Sequence, residues 1–496
     1  MSMISDYNSR QLVPRLLSFE TSNTLSLNIS TENFSSSGIN SFEVHNYSNL
    51  KSEWEIEKNV ILAIQILIYE IIYDSLKISY ELIEYLNKSK HILNDIENEI
   101  LFLANIKFIN GNISSDVNSE DDAIIIKKIK KGNLINPLNP IQWCNLGYFY
   151  TKLGLKEKAK KAFLVSIGLN NNNRHIVRSV SRFFLHIGNK DFSHHILAMS
   201  PRIKYDPSII SAEIALSELI GKKSKFIDNG IRLINDENIS TFEKNELLAQ
   251  IATLEFAHGK NSKGRMFIDK CLINPNENSL AQIAFLTKKR LLEPLIENVP
   301  TVIFQFEALA RNYFIRADFK NAFENAKKWF YYQPFSNNPA ALSTYIASAI
   351  LGDYQSAIDI ANLALKTSPD GFILLNNLAF SYARNNQIKE AIEVSKKINI
   401  HNIDDYDKAI LNATNGYIAF KQGYLEIAKI GYNEAIKYFR TIKDDISLAR
   451  ALYNYSSILN ESEKKIILKE VAELSIKNDI VELVYLLKKD DIIDHS

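Results

Sequence analysis

The chain has 496 residues and a formal net charge of +1, with 58 Lys and Arg against 57 Asp and Glu. So small a net charge excludes a global positive field of the kind that nucleic-acid binders carry, so any charged site must be local. Hydrophobic residues make up 46% of the sequence, and only 16 Gly and 11 Pro interrupt it. Few helix breakers in so long a chain argue against a turn-rich β fold and favour helices with a large core.

Neither a secretory signal nor a membrane span is evident. Residues 1–20 are polar and mixed, without a basic stretch followed by an apolar run. The most apolar stretch, residues 60–72, is too short to cross a bilayer and contains Gln65 and Glu70. Because only two cysteines are present, we expect a reducing compartment without disulfides. The sequence therefore predicts a cytoplasmic protein without membrane contact.

The N-terminal quarter differs in composition from the rest of the chain. Residues 1–50 are rich in Ser, Asn and Thr, and they predict a polar arm that is partly disordered. Residues 51–133 predict an N-terminal helical region with an acidic loop at 110–122. Beyond Pro140 the chain becomes periodic.

The periodic part contains one clear sequence unit. Its members are Trp143, Leu146, Gly147, Tyr150, Ala159 and Phe163. This W-x2-L-G-x2-Y order, with the downstream Ala and aromatic, resembles the tetratricopeptide repeat. The same frame recurs between residues 306 and 436, with unit starts about 34 to 37 residues apart, close to the period of that repeat.

Small and large residues alternate in this frame for a physical reason. Gly147 and Ala310 on the first helix of a pair, and Ala159 and Ala322 on the second, permit close approach of the two helices. Large residues such as Trp143 fill the remaining space. The resemblance implies an all-α, right-handed α-solenoid of stacked tetratricopeptide-like helix pairs with an N-terminal helical extension.

The strength of the pattern divides the solenoid into two blocks. Residues 134–300 predict repeat-like units that become degenerate after residue 173. Residues 301–490 predict a regular block that ends in a capping helix.

The first candidate site is a basic stripe on one unit. In the family that the chain resembles, the first helix of each pair lines a concave groove, and we expect the same here. The groove positions are Arg174, His175, Arg178, Arg182 and His186, joined by Tyr148 and Lys152 from the preceding unit. Like charges at i, i+4 spacing destabilise a helix by a few tenths of a kcal/mol per pair, so the stripe needs a compensating partner.

Two explanations of this stripe are open. An anionic ligand or acidic peptide can pair with the arginines, which bind carboxylates and phosphates in bidentate geometry. Alternatively the stripe is a solvated face, or its arginines pair with carboxylates of the same chain, such as Asp191, Glu213 or Glu218.

A second candidate groove lies in the C-terminal block. Its lining residues are Arg311, Phe314, Asn376, Asn377, Phe380, Arg384, Tyr417 and Lys421. Aromatic anchors beside amide side chains suit an extended peptide or a helix. The alternative is that several of these aromatics only pack the superhelix.

Catalytic and metal-binding motifs are not evident. Four of the nine histidines lie between residues 175 and 195, but their spacing fits no zinc motif. Neither a Gly-rich phosphate loop nor a dinucleotide fingerprint occurs. We therefore expect no metal, no cofactor and no catalytic residue.

The leading functional hypothesis is a non-catalytic scaffold, adaptor or sensor subunit that binds a peptide, helix or effector subunit along its concave groove. The Ile-, Asn- and Lys-heavy composition, with family analogy, suggests a bacterial regulatory or phage-defence complex. Two alternatives are a nucleic-acid or nucleotide-binding solenoid that uses residues 174–186, and an enzyme with an active site hidden in residues 174–300.

Overall fold

The structure is a computed structural model, and it describes the chain in several ranges. These are residues 12–16, 41–72, 79–89, 91, 93, 101, 104, 119–288, 302 and 305–493. Within them the chain forms helices joined by short turns, and no strand. The predicted all-α solenoid of helix pairs is confirmed. In the same ranges, no helix combines the length and the apolar composition that a membrane span requires.

Three helices form the N-terminal helical region. They are α1 (Ser41–Ile56), α2 (Val60–Ile72) and α3 (Tyr80–Lys88). Helix α1 begins inside the stretch predicted as a polar arm, and Trp54 is almost completely buried in the small core that the three helices share. The predicted acidic loop lies outside the described residues up to residue 118, and α4 (Ser119–Ile135) occupies the rest of it.

A buried carboxylate holds this small core together. Glu70 on α2 is fully buried, and its carboxylate accepts hydrogen bonds from the Ser79 backbone N–H at 2.8 Å and from the Tyr47 hydroxyl at 3.0 Å. The Lys51 ammonium lies 2.9 Å from the same carboxylate. A buried charge needs such compensation, and here it ties the apolar helix α2 to α1 and to the start of α3.

Along the described part of the chain, the solenoid contains two blocks of helix pairs with one unpaired helix between them. The pairs of the first block are α5 (Pro140–Lys152) with α6 (Lys156–Leu169), α7 (Arg174–His186) with α8 (Lys190–Ala198), α9 (Pro207–Leu219) with α10 (Ile227–Ile234), and α11 (Thr241–Ala257) with α12 (Asn261–Leu272). Helix α13 (Glu277–Lys288) follows. Residues after residue 173, whose repeat pattern is degenerate, therefore still form pairs.

The pairs of the second block are more regular in sequence. They are α14 (Phe306–Ile315) with α15 (Phe319–Tyr332), α16 (Asn337–Tyr345) with α17 (Tyr354–Leu365), α18 (Phe372–Arg384) with α19 (Ile388–Lys397), α20 (Asp405–Lys421) with α21 (Leu425–Thr441), and α22 (Asp445–Ser456) with α23 (Glu461–Lys477). A single turn of π-helix, Ile346–Leu351, extends α16. Helix α24 (Val481–Lys489) ends the described chain.

Local sequence signals set the helix boundaries. The Asn173 side chain accepts a hydrogen bond from the Ile176 backbone N–H at 3.2 Å, and the Asp206 side chain caps α9 in the same way. Such capping satisfies amide groups that have no partner inside the helix. Between the helices of a pair, Gly154 and Gly188 adopt positive φ angles of 72° and 85°. Glycine takes this left-handed conformation without a steric penalty, so the chain turns sharply there.

Close approach within a pair depends on the small residues that the sequence pattern predicts. A Cβ atom on Gly147 would lie 2.8 Å from the ring of Phe163. Ala159, Ala310 and Ala322 are all fully buried between helices. The distance between paired helices is therefore limited by backbone contact with side chains, as the repeat frame requires.

The superhelix is tight enough for distant units to touch. A Cβ atom on Gly154 would lie 2.1 Å from the backbone oxygen of Lys366, so the α5–α6 turn rests on the loop after α17. Phe335, in the loop before α16, is fully buried in the core of the first block. The two blocks therefore pack on each other, a contact that the repeat period alone does not predict.

We predict opposite effects for the same substitution at two glycines. Gly147→Ala should lower the free energy of unfolding by about 1–3 kcal/mol, because the added methyl group overlaps the Phe163 ring. Gly168→Ala is the matched control, because a Cβ there meets nothing within 4 Å; it should raise stability by about 0.5 kcal/mol. Urea unfolding followed by circular dichroism measures both. Equal effects at the two sites would contradict the close approach.

Candidate functional site: the inner surface of the solenoid

The inner surface of the first block is identified by contacts between units that are not neighbours. Arg178 on α7 and Glu246 on α11 belong to pairs two units apart, yet the Arg178 Nη2 atom lies 2.8 Å from Glu246 Oε2. Curvature brings first helices together on the concave side and separates second helices on the convex side. We therefore call the side of α5, α7, α11, α13 and α14 that carries such contacts the inner surface.

Carboxylates of the same chain pair with the N-terminal part of the basic stripe. Arg174 Nε and Arg202 Nε both lie 2.7 Å from Oδ2 of the fully buried Asp206 carboxylate. Burial alone would raise the pKa of Asp206, but the two guanidinium groups hold it below its usual value. Arg178 bonds both oxygens of Glu246 and also donates to the backbone oxygen of Ser208 at 2.8 Å. Two of the three arginines of the stripe therefore already have anionic partners.

The two histidines of the stripe add no charge at neutral pH. Burial, reinforced by the Arg178 charge, lowers the pKa of His175 to about 4. Burial also lowers the pKa of His186 to about 3, with Arg182 contributing. The His186 ring packs edge-on against Phe335 at 5.8 Å between ring centroids.

The remaining members of this candidate site also contact other parts of the chain. Arg182 donates to the Ser336 hydroxyl at 3.4 Å. The Lys152 ammonium lies 2.8 Å from Asp122 on α4. Tyr148 packs edge-on against Phe335, with 6.1 Å between ring centroids. The stripe is thus largely covered by the loop before α16 and by ion pairs.

One of the two explanations left open by the sequence is that the arginines pair with carboxylates of the same chain. This holds for Arg174 and Arg178, but their partners are not the carboxylates that the sequence suggested. Asp206 and Glu246 are the partners, whereas Glu213 bonds His194 at 2.9 Å. The reason is geometric: superhelix curvature, rather than sequence distance, selects the carboxylate that an inner-surface arginine meets.

A short N-terminal segment also lies on the inner surface. Residues 12–16 form neither helix nor strand, and Leu12 and Leu16 are both fully buried in the core cluster of the first block. Asn278 on α13 donates a side-chain hydrogen bond to the backbone oxygen of Val13 at 3.2 Å. The Arg15 guanidinium lies 2.9 Å from Glu307 on α14. This segment falls within the predicted polar arm, and its only sequence signal is the apolar run LVPRL in a polar region.

The carboxylates around Arg15 are strongly buried. Glu277 and Glu307 are each 5% exposed, and Arg15 Nε lies 3.9 Å from Glu277. Burial raises the pKa of Glu277, while the Arg15 charge opposes that rise. Glu307 also pairs with Arg311 at 3.0 Å. Arg15 is therefore a cation that this acidic part of the inner surface requires.

The predicted C-terminal groove is mostly core. Phe314, Asn376, Asn377, Phe380 and Tyr417 are all at most 5% exposed. The Asn377 amide donates to the Thr344 hydroxyl at 2.9 Å, which joins α18 to α16. These side chains can reach a partner only if the block opens. Their role in partner binding remains a prediction, and packing of the superhelix explains their burial.

Two other members of that groove, Arg384 and Lys421, are partly accessible. Arg384 lies among the rings of Tyr354, Phe380 and Tyr417 at 5.4 to 5.9 Å. Lys421 donates to the Asn386 side chain at 2.9 Å. Arg311 is buried with Glu307, as described above. Cation–π contacts of this kind stabilise a packed interior as well as they bind a ligand.

The chain's own C-terminal helix, α24, packs against the helices of the second block beside this groove. Glu482 on α24 forms a buried ion pair with Arg450 on α22, and the Tyr345 hydroxyl donates to the same carboxylate at 3.2 Å. Tyr485 packs edge-on against Phe319 with 4.9 Å between ring centroids. The cavity left beside these residues measures about 20 Å³, which fits one water molecule.

Candidate residues for metal binding and catalysis include His194, the two cysteines and the acidic side chains of the described ranges. No group of three or more His, Cys, Asp or Glu in these ranges is placed to hold a metal ion. Glu213 and Ser217 both bond the same nitrogen, Nε2, of His194, whereas a catalytic relay needs them on opposite nitrogens. Burial raises the pKa of Cys144 and Cys271 to about 12, so neither thiol ionises readily.

Comparison with known protein families identifies one repeat unit in the chain. A tetratricopeptide repeat model matches residues 143–173, which span most of α5 and all of α6. This pair therefore matches a tetratricopeptide repeat. No curated protein is similar enough to match the chain.

Among solved structures, the human IFIT1 dimer with PPP-AAAA shares 15% identity at a TM-score of 0.34, covering 76% of this chain and 88% of that one. The APC/C hetero-tetramer Cut9–Hcn1 shares 13% identity at a TM-score of 0.36, covering 96% and 97%. At this level of likeness, the ligands and partners of those proteins cannot be transferred to this chain.

We predict that the inner-surface ion pair between Arg178 and Glu246 stabilises the packing of the helix pairs that it joins. Arg178→Met should lower the free energy of unfolding by about 3 kcal/mol, because it leaves a buried carboxylate without its cation. The loss falls at the lower end of the usual range because Asn276 still donates to Glu246. The double variant Arg178→Met, Glu246→Leu should recover most of the loss. Urea unfolding tests this, and a fully stable single variant would disprove it.

We also predict acid sensitivity that arises from the buried histidines. Between pH 6.5 and the folded-state pKa of each histidine, the unfolded chain binds a proton that the folded chain does not. The free energy of unfolding should therefore decrease as the pH is lowered, by roughly 1.4 kcal/mol per pH unit for each histidine. His186→Gln removes one titrating group, so its stability should fall less steeply between about pH 6 and pH 5. Urea midpoints across that range measure the slope, and parallel slopes would refute the assignment.

Proposed function

We propose that this protein is a non-catalytic interaction scaffold that holds a segment of a partner protein along its inner surface. One observation supports this most directly. The inner surface already holds a stretch of chain from outside the helix pairs, residues 12–16, through contacts that a peptide ligand would make. These are a side-chain hydrogen bond to a backbone oxygen, an ion pair and two fully buried aliphatic side chains.

The general architecture supports the same function. Stacked helix pairs present a long curved surface, and peptides bind such surfaces by burying apolar anchors while amide side chains hold their backbone. Asn278 acts on Val13 in this way, and Leu12 and Leu16 are the anchors. Membership of a bacterial regulatory or phage-defence complex, and a cytoplasmic location, remain predictions from composition and analogy.

Nucleic-acid binding through the basic stripe has less support. Phosphate binding depends on cations whose counterions are released on association. Arg174 and Arg178 already face Asp206 and Glu246, and burial keeps His175 neutral. We therefore prefer a protein partner. The enzyme alternative gains no support from a metal site, because no cluster of His, Cys, Asp or Glu among the described residues is placed to hold a metal ion.

Site-specific photo-crosslinking in the native host tests the proposal. We predict that a photoreactive aromatic residue in place of Tyr148, on the inner surface, captures a partner protein. The matched control carries the same residue in place of Ile466, which is 72% exposed on α23, and should not capture that partner. Mass spectrometry identifies the crosslinked peptides. Capture of the same partner at Ile466 alone, or equally at both positions, would overturn the proposal.

A further inference from the structure

Residues 12–16 form neither helix nor strand, and all five make close contact with the helix pairs or are largely buried. Leu12, Pro14 and Leu16 are buried, whereas Val13 and Arg15 are partly exposed. Leu12 and Leu16 belong to the core cluster of the first block, and the Arg15 guanidinium faces the carboxylates of Glu277 and Glu307. Pro14 restricts its own φ angle and favours an extended conformation at Val13, which lowers the entropy lost when the segment binds.

The surface that receives Arg15 is acidic and lies between two helices. Glu277 stands in the first turn of α13, and Glu307 stands in the first turn of α14. Among the described residues, Arg15 is the cation that lies within 4 Å of Glu277. Without it, a nearly fully buried carboxylate would lose its compensating charge, which is costly. The site therefore requires a basic side chain, whether it belongs to this segment or to another.

The segment is separate in sequence from the surface that holds it. Residues 17–40 lie between it and α1, and Glu277 is more than two hundred residues further along the chain. A tethered ligand of this kind competes with external ligands at an effective concentration in the millimolar range. Residues 12–16 are not part of any helix pair, so their contacts with the pairs are made by a separate segment of chain.

We propose that residues 12–16 are a resident and displaceable ligand, and that the inner surface between α13 and α14 recognises extended partner segments of the pattern aliphatic–x–Pro–basic–aliphatic. This inference rests on the proposed scaffold function and names the chemistry of the partner. A partner segment binds when it replaces the resident one, with its basic residue between Glu277 and Glu307 and its aliphatic residues in the sites of Leu12 and Leu16.

The test is peptide binding to the full chain with its resident segment disabled. The variant carries Leu12→Ser, Arg15→Ser and Leu16→Ser, and the probe is a fluorescent peptide of residues 9–19, SRQLVPRLLSF. Fluorescence anisotropy should show binding to this variant. The wild-type chain should bind the probe at least about tenfold more weakly, because its own segment competes.

Variants of the peptide and of the site show whether the charge is recognised. A peptide with Arg15→Glu should bind at least about tenfold more weakly, and one with Arg15→Lys should bind similarly to the original. Adding Glu277→Gln to the chain should weaken binding of the original peptide by a similar factor. Glu470→Gln, which removes an exposed ion pair with Arg440, is the control and should have no effect.

A second measurement covers the case in which the triple variant does not fold, as judged by circular dichroism. A protease site inserted between residues 17 and 40 of the otherwise wild-type chain allows the segment to be cut free after folding. The labelled peptide should then exchange into the cut chain and not into the uncut one. Absence of binding to both the triple variant and the cut chain, or equal binding of the Arg15→Glu peptide, would overturn the inference.

The outcomes separate this inference from the scaffold function. Partner capture at Tyr148 without peptide binding would support the scaffold function and contradict the proposed peptide pattern. Peptide binding without partner capture at Tyr148 would support the site and count against the scaffold.

Discussion

A buried carboxylate must face a cation, and this constraint organises the inner side of the solenoid. Asp206 lies between Arg174 and Arg202, and Nη2 of Arg178 donates to both carboxylate oxygens of Glu246. The Arg174–Asp206 and Arg178–Glu246 pairs connect different units. Through these ion pairs, the basic stripe on α7 holds helix pairs of the first block at a fixed curvature. Carboxylates of the same chain pair with two of its three arginines, Arg174 and Arg178.

The same constraint explains why both ends of the chain return to the inner surface. In the first block Glu277 and Glu307 stand at the starts of α13 and α14, and Arg15 supplies a cation. In the second block the relation is reversed, because the buried Arg450 receives a carboxylate from Glu482 on α24. A short segment without helix or strand contacts one block, and a helix contacts the other.

Several parts of the fold follow directly from the sequence. The repeat frame around Trp143 and Gly147 predicts paired helices, and the contact between Gly147 and Phe163 has the closeness that the frame implies. The arginines Arg174 and Arg178 of the basic stripe pair with carboxylates of this chain, and the role of the stripe in partner binding stays a prediction. Their partners were not predictable, because Arg178 meets Glu246 across two units, and that contact depends on accumulated curvature. Residues 12–16 gave only a weak signal, because five residues without a repeat resemble many other short apolar runs.

The sequence by itself determined the elements: which residues form helices, where caps and left-handed turns end them, and how closely the two helices of a pair approach. These features depend on contacts within about 40 residues, which local patterns describe. Only the tertiary structure decided which surfaces are open. Small angles between successive pairs add up until Phe335 packs against α5 and α7, and until the N-terminal segment and α24 occupy the interior. No local pattern contains that sum, so the occupied inner surface appears only in three dimensions.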